Sequence, residues 1–163
     1  MTRTGLPFAF LCALFAVGAL FSTSVEAHKA IFVVRHAEKE SQTDPDSAIS
    51  VIGEDRALAF ARLVRNAGVT HVFVSDKKRT AQTAEPVTMQ RGLTPVVAKD
   101  NKDLVEKIKA APKDAVIVVV GHSNTIPEIL KALGVKDAVA IKEDQFGRVF
   151  VVTADNAMFE LAY

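Results

Sequence analysis

Ala30-Ile31-Phe32-Val33-Val34-Arg35-His36 is a run of five apolar residues that ends in an arginine and a histidine. It is rich in β-branched side chains and shows no polar alternation, so it predicts a strand buried on both faces, as in a parallel sheet. A second run of the same kind, Ala115-Val116-Ile117-Val118-Val119-Val120, leads into Gly121-His122. A third, Val72-Phe73-Val74, leads into Ser75, and Arg79 follows four residues later. In open α/β sheets ligands bind just beyond the carboxyl ends of the strands. The three runs are therefore expected to deliver Arg35, His36, Arg79 and His122 to one mouth.

The segments between these runs read as helices. One is expected over about 51–67, with Ser50 as its N-cap, Gly68 as its stop, and Ala57, Phe60, Ala61 and Val64 facing the sheet. A second begins near Arg79 and contains Pro86, which either kinks it or divides it. A third spans 101–110 with Leu104, Val105 and Ile108 inward, and a fourth about 125–133 with Pro127 in its first turn. Further strands are expected over 71–75 and 94–98, and a closing hairpin over 148–153 and 157–161 around Asp155-Asn156. Strands alternating with helices predict a three-layer α/β/α sandwich with a mostly parallel sheet.

Residues 1–27 stand apart. Arg3 precedes an apolar stretch over 6–21 broken only by Pro7 and Gly18, and Val25-Glu26-Ala27 places small residues at −3 and −1 of a cleavage site. That is the pattern of a secretory signal peptide. The competing reading is an uncleaved anchor, since the stretch is near the lower length for a spanning helix. Cleavage after Ala27 leaves residues 28–163 as one domain by length. It would be periplasmic or secreted, without stable membrane insertion. The one cysteine, Cys12, lies in the leader. Residues 28–163 thus have no disulfide framework, thiol nucleophile or cysteine metal site. A formal net charge of +1 with both signs mixed gives no reason to expect nucleic acid as partner.

Two histidines and two arginines in one mouth describe a site for a phosphate that reacts at nitrogen. A neutral imidazole can attack phosphorus. The transferring group then needs its equatorial oxygens positioned and neutralised. Arg35 and Arg79 offer permanently charged planar forks that match phosphate oxygens. Arg79 also opens a helix, whose free N–H groups favour an anion. His36, beside Arg35, is the candidate nucleophile, and His122 with Ser123 and Asn124 adds donors at a second strand end. No metal or other cofactor is called for, because the positive charge comes from arginine and Arg35 would repel a cation beside His36. His71 stands at the wrong end of its strand and reads as structural. A serine hydrolase built on Gly121-His122-Ser123 would need a histidine after its serine, and all four histidines lie at or before position 122.

Val34-Arg35-His36-Ala37-Glu38-Lys39 resembles the Arg-His-Gly/Ala motif of the histidine phosphatase superfamily, the phosphoglycerate mutase-like proteins. Ser75-Asp76-Lys77-Lys78-Arg79-Thr80-Ala81-Gln82-Thr83-Ala84 is similar to its Ser-x-x-x-Arg-x-x-Gln-Thr-Ala motif, and Gly121-His122 to its Gly-His. The three stand in family order. The resemblance implies a phosphoglycerate mutase-like fold, His36 as the phosphorylated nucleophile, and a phosphate pocket completed by Arg35, Arg79 and His122. Gln42 stands six residues after the nucleophile, where many relatives carry a polar residue. The glutamate acid that larger relatives place after the third strand has no counterpart motif. Asp100 is nearest by position and reads equally well as a solvated helix start; Asp103, Glu106, Glu38 or no side chain at all are the alternatives. The lack of long insertions resembles the small SixA-like branch. The expected function is an exported phosphatase acting on a phosphomonoester or phosphohistidine through an intermediate on His36. Its partner would be a phosphorylated small molecule, an envelope phosphosugar or a phosphoprotein. The alternative is a non-catalytic phosphate-binding module on the same scaffold.

Overall fold

The computed structural model describes Met1 and residues 28–137 and 139–163; apart from Met1, the leader expected over 1–27 lies outside them. The elements are β1 (Ala30–Arg35), α1 (Val51–Val64), β2 (His71–Ser75), α2 (Lys78–Arg91), β3 (Val96–Ala98), α3 (Asn101–Ala110), β4 (Val116–Gly121), α4 (Ile126–Ala132), β5 (Arg148–Thr153) and β6 (Met158–Ala162). The strands form one sheet in the order β3-β2-β4-β1-β5-β6. The β2–β3, β2–β4 and β1–β4 pairs are parallel, and β5 and β6 join antiparallel at one edge. This is the α/β sandwich with a mostly parallel sheet that the alternation of runs predicts. Among the described residues, no helix is long and apolar enough to cross a membrane.

The strand runs read as fully apolar because both faces are covered, and the period of two divides their side chains between two cores. Val116, Val118 and Val120 of β4 pack with Phe60, Ala61 and Val64 of α1 and Ala84 and Val87 of α2. Ile117 and Val119 of the same strand pack with Leu104 and Ile108 of α3 and Ile126, Ile129 and Leu130 of α4. Two apolar layers therefore grip the middle strands, and the sheet is rigid where the site is built.

Two boundaries differ from expectation by more than one residue, and one open alternative is decided. The first helix ends at Val64, and residues 65–68 form a turn closed by Gly68 at φ 75°. The third strand begins at Val96, as a short edge strand with Val96 and Val97 exposed. Helix α2 is a single helix through Pro86. An interior proline costs roughly 3 kcal/mol or more in an isolated helix. Here Thr80, Thr83, Ala84, Val87 and Thr88, on both sides of the proline, are buried. Tertiary packing holds the axis that the sequence leaves open.

Ser50 caps α1 as expected, its side chain accepting from Gly53 N. Gly53 carries a requirement of its own. A Cβ there would stand 2.5 Å from the Glu38 carbonyl oxygen and 3.0 Å from Ile49 Cβ. The first turn of α1 thus lies against the backbone two residues after His36. Exchanging Gly53 for alanine should gain up to about 1 kcal/mol of helix propensity. The clash is with main chain, which cannot swing away, and overpacking of that kind costs roughly 1–3 kcal/mol. Gly53→Ala is expected to lower the denaturant midpoint; an unchanged or raised midpoint would show that the 37–50 loop yields freely.

Candidate active site

The register of β1 on β4 pairs Arg35 with Gly121, and His36 N donates to the Gly121 carbonyl at 2.9 Å. The two chain segments leave the sheet side by side, so His36 and His122 meet as an edge-on ring pair with centroids 5.2 Å apart. Ser75, at the end of β2, makes a 3.0 Å hydrogen bond with His122 Nε2. Arg79, in the first turn of α2, reaches His122 Nδ1 with Nη2 at 3.4 Å and the Pro45 carbonyl with Nη1 at 3.0 Å. The structure brings all four expected residues, Arg35, His36, Arg79 and His122, to one place.

Hydrogen bonding specifies the state of both rings. His36 Nδ1 lies 2.7 Å from the Ala37 carbonyl, which can only accept. The proton is therefore on Nδ1, and Nε2 keeps its lone pair. Arginine can only donate, so His122 Nδ1 is bare and its Nε2–H donates to Ser75 Oγ. Burial holds both rings neutral. It pushes His36 down to about 3 against a partial offset from the Ala37 bond, with His122, Arg79 and Arg35 adding repulsion. It pushes His122 down to about 4, with the Arg79 charge next in importance.

The second sequence motif acquires a mechanical meaning. Arg79, Gln82 and Thr83 fall at i, i+3 and i+4 on α2, hence on one face. Arg79 points to His122. Gln82 Oε1 accepts from Ile49 N at 2.9 Å. Thr83 Oγ1 accepts from Ala37 N at 2.9 Å and donates to the Arg79 carbonyl. One helix face therefore places a cation and pins the loop after His36 at two points. The Ala37 peptide is held at both ends, by Thr83 through its neighbouring N–H and by His36 through its carbonyl.

Arg35 is placed differently from an open fork. Its Nη1 donates to the carbonyls of Lys142, Glu143 and Gln145 at 2.9, 2.9 and 3.2 Å, and its guanidinium lies 4.2 Å from the centroid of the Phe146 ring. Nη2 donates to Glu143 Oε2 at 2.8 Å. Only its Nε–Nη2 edge faces away from this loop of carbonyls. Nε of Arg35 and Nε of Arg79 are both buried without a hydrogen-bond partner among the described residues.

Three of the four carboxylates considered as acids are occupied. Glu38 is chelated by Arg56 through Nε and Nη2, and that bond holds its pKa below the usual range despite burial. Asp103 pairs with Lys107, which lowers its pKa, and accepts from Lys99 N. Asp100 caps α3 by accepting from Asp103 N. It also lines a cleft of about 180 Å³ with Ser75 and His122, so its helix-start reading holds without removing it from the mouth. Glu106 and Gln42 are exposed. His71 sits at the far end of the sheet, bonded to Thr70 Oγ1 and stacked on Phe73. Among the described residues no three His, Cys, Asp or Glu side chains group as metal ligands. Sequence reasoning missed Glu143 and Phe146. Both lie in an irregular segment between α4 and β5 with no periodicity to read, and their partner Arg35 is more than a hundred residues earlier.

Residues 31–103 match the model of the histidine phosphatase superfamily, branch 1. Over these residues the chain is similar to this superfamily. The matched stretch holds Arg35, His36 and Arg79; His122 lies beyond it. The protein described as probable phosphoglycerate mutase GpmB of Yersinia enterocolitica is 38% identical over 69 residues, 39% of this chain and 32% of GpmB. The chain thus spans about a third of the length of such curated relatives. SixA of Agrobacterium tumefaciens superposes with a TM-score of 0.63 at 18% identity, covering 83% of this chain and 98% of that one. Protein histidine phosphatase SixA complexed with tungstate gives 0.64 at 14%, covering 82% and 96%. The mycobacterial glucosyl-3-phosphoglycerate phosphatase gives 0.63 at 14%, covering 83% and 98%. These likenesses show a shared fold over 82–83% of the chain.

Two outcomes follow from this geometry. Thr83 is fully buried. Thr83→Val keeps its shape but strands the Ala37 N–H, which should cost about 1–3 kcal/mol. Thr83→Ser should recover most of it, and nitrogen NMR of the His36 ring should show the Nδ1–H tautomer lost in the valine variant alone. The second outcome concerns acid. A free imidazole titrates near 6.5, whereas His36 in the fold titrates at about 3. The unfolded chain therefore binds the extra proton, so this contribution to stability is complete above about pH 6.5 and drains away as pH falls towards 3. His36→Asn should flatten the decline between pH 7 and 4 by roughly 3 kcal/mol relative to wild type. Parallel pH profiles of unfolding free energy would rule this out.

Proposed function

We propose that this domain is a phosphatase that hydrolyses a phosphomonoester or phosphohistidine through a covalent phosphohistidine on His36. The observation that carries the reading is the pairing of a neutral imidazole, its Nε2 lone pair retained, with two buried guanidinium Nε–H groups that have no acceptor among the described residues. Buried donors without acceptors are rare in folded proteins and cost about 1–3 kcal/mol each. A tetrahedral dianion supplies the acceptors that both arginines lack and matches their charge.

In this mechanism Nε2 of His36 attacks phosphorus. The P–N bond forms as the bond to the leaving group breaks, and the proton stays on Nδ1, where its hydrogen bond to the Ala37 carbonyl stabilises the cationic ring. Arg35 and Arg79 take the charge on the equatorial oxygens, a role worth about 10²–10³-fold per donor in comparable sites. His122 is fixed by Ser75 and Arg79 against the same group. Water then attacks the phosphohistidine in line, releasing phosphate and restoring neutral His36. An oxygen leaving group needs a proton, for which Asp100 is the carboxylate that shares a cleft with His122. A phosphohistidine leaves through nitrogen and needs no such acid. Relatives of this fold bind tungstate and inorganic phosphate, which supports an oxyanion at this mouth.

The leader pattern over 1–27 supports an exported setting, periplasmic or secreted. The partner would then be a phosphorylated small molecule, an envelope phosphosugar or a phosphoprotein reached from a shallow site. The arginine-lined pocket supports turnover without a metal or other cofactor.

Rapid acid-free quench of the chain with labelled aryl phosphate tests the reading. Label is expected on His36, stable in base and lost in acid, and His36→Ala should abolish both label and steady turnover. Full turnover by His36→Ala would sink the mechanism. Oxyanion binding by wild type with no turnover across aryl, sugar, lipid, nucleotide and protein phosphates would instead leave the non-catalytic binding module.

A further inference from the structure

We propose that Glu143 competes with the phosphoryl group for Arg35 and so sets how tightly the site holds tetrahedral oxyanions. The inference rests on the reading of Arg35 as part of the phosphoryl pocket.

The fork of Arg35 has one edge that is closed and one that is contested. Nη1 is saturated by three main-chain carbonyls of residues 142–145, so that side serves to hold the loop. The Nε–Nη2 edge is the one that can take two oxygens in parallel from an oxyanion. Glu143 stands on its Nη2, which carries two N–H groups. Its Oε2 accepts from Nη2, while Oε1 accepts from Ser123 Oγ, next to His122. With its second oxygen tied to Ser123, the carboxylate leaves Nε–H without a partner. An oxyanion that bridges Nε–H and the second N–H of Nη2 stands beside the Glu143 carboxylate on the same nitrogen, and the two anions compete for the Arg35 charge.

The exchange is physically cheap on the glutamate side. The Glu143 side chain is 82% exposed, whereas that of Arg35 is 5% exposed. The carboxylate can turn into water without moving the loop, because the Nη1 bonds use main-chain carbonyls and not the side chain. It is ionised in place, since Ser123 first and the Arg35 charge after desolvation keep its pKa below the usual range. A carboxylate beside a dianion repels it, so every bound oxyanion carries that cost. Inorganic phosphate, the product, carries it as much as substrate does. Glu143 thereby weakens product retention.

Calorimetry with tungstate and with inorganic phosphate, on wild type, Glu143→Gln and Glu143→Ala, reads the competition directly. Both variants are expected to bind both oxyanions about threefold or more tightly than wild type at low ionic strength, with the gain shrinking as salt screens the carboxylate. Unchanged or weaker binding in both variants, alongside wild-type binding that Arg79→Ala abolishes, overturns the role of Glu143 and leaves the phosphoryl site standing. Wild-type binding that is absent, or indifferent to Arg79→Ala, overturns the phosphoryl-site reading, and the role of Glu143 falls with it.

Discussion

The hydrogen bond from His36 N to the Gly121 carbonyl closes the β1–β4 ladder, and everything in the site hangs from it. A parallel pair with this register ends both strands at the same height. Slipping it by one residue would turn every side chain of β1 to the opposite face, and both faces are packed. The register is therefore enforced by two apolar cores at once. His36 and His122 then need no further device to meet. Arg79 and Ser75 arrive because β2 is the other parallel neighbour of β4, aligned through Val74 and Val120.

The electrostatics of the mouth follow from the same burial. Two imidazoles and two guanidiniums lie together, and the imidazoles yield. Each loses its proton because the charged form would be both desolvated and repelled. The arginines cannot yield, so the site keeps a fixed positive charge around two neutral rings. An anion entering it reverses the balance and favours the cationic ring that a histidine nucleophile becomes. Stability and chemistry are coupled here, since the burial that readies His36 is also what makes the fold acid-sensitive.

Helix α2 and the 142–146 loop support the site in different ways. The face of α2 that carries Arg79, Gln82 and Thr83 holds the loop after His36 by neutral hydrogen bonds in the interior, where leaving a donor unmatched is costly. The later loop holds Arg35 through carbonyls and a ring face, and reaches the mouth with an exposed carboxylate. The first is a rigid mount. The second combines a rigid anchor with a side chain free to leave.

Much of this was legible in the chain itself. Runs such as 30–34 and 116–120 read as strands covered on both sides, because they are short, rich in β-branched residues and show no polar alternation. Their endings, Arg35-His36 and Gly121-His122, placed the two histidines at one mouth by the general rule for parallel sheets. Local chemistry also decided the Ser50 cap and the extent of α3. The continuity of α2 through Pro86 was undecided locally, and burial on both sides of the proline decided it. The roles of Gln82 and Thr83 were present in a motif but mute, since their partners Ile49 and Ala37 lie on another element. Asp100 was balanced between cap and acid, and the fold makes it a cap at the edge of the cleft. The half-closed fork of Arg35 and the position of Glu143 had no sequence signal. Periodicity and propensity report on neighbours within a few residues. A contact between a strand end and an irregular loop more than a hundred residues later exists only once the sheet has brought them together.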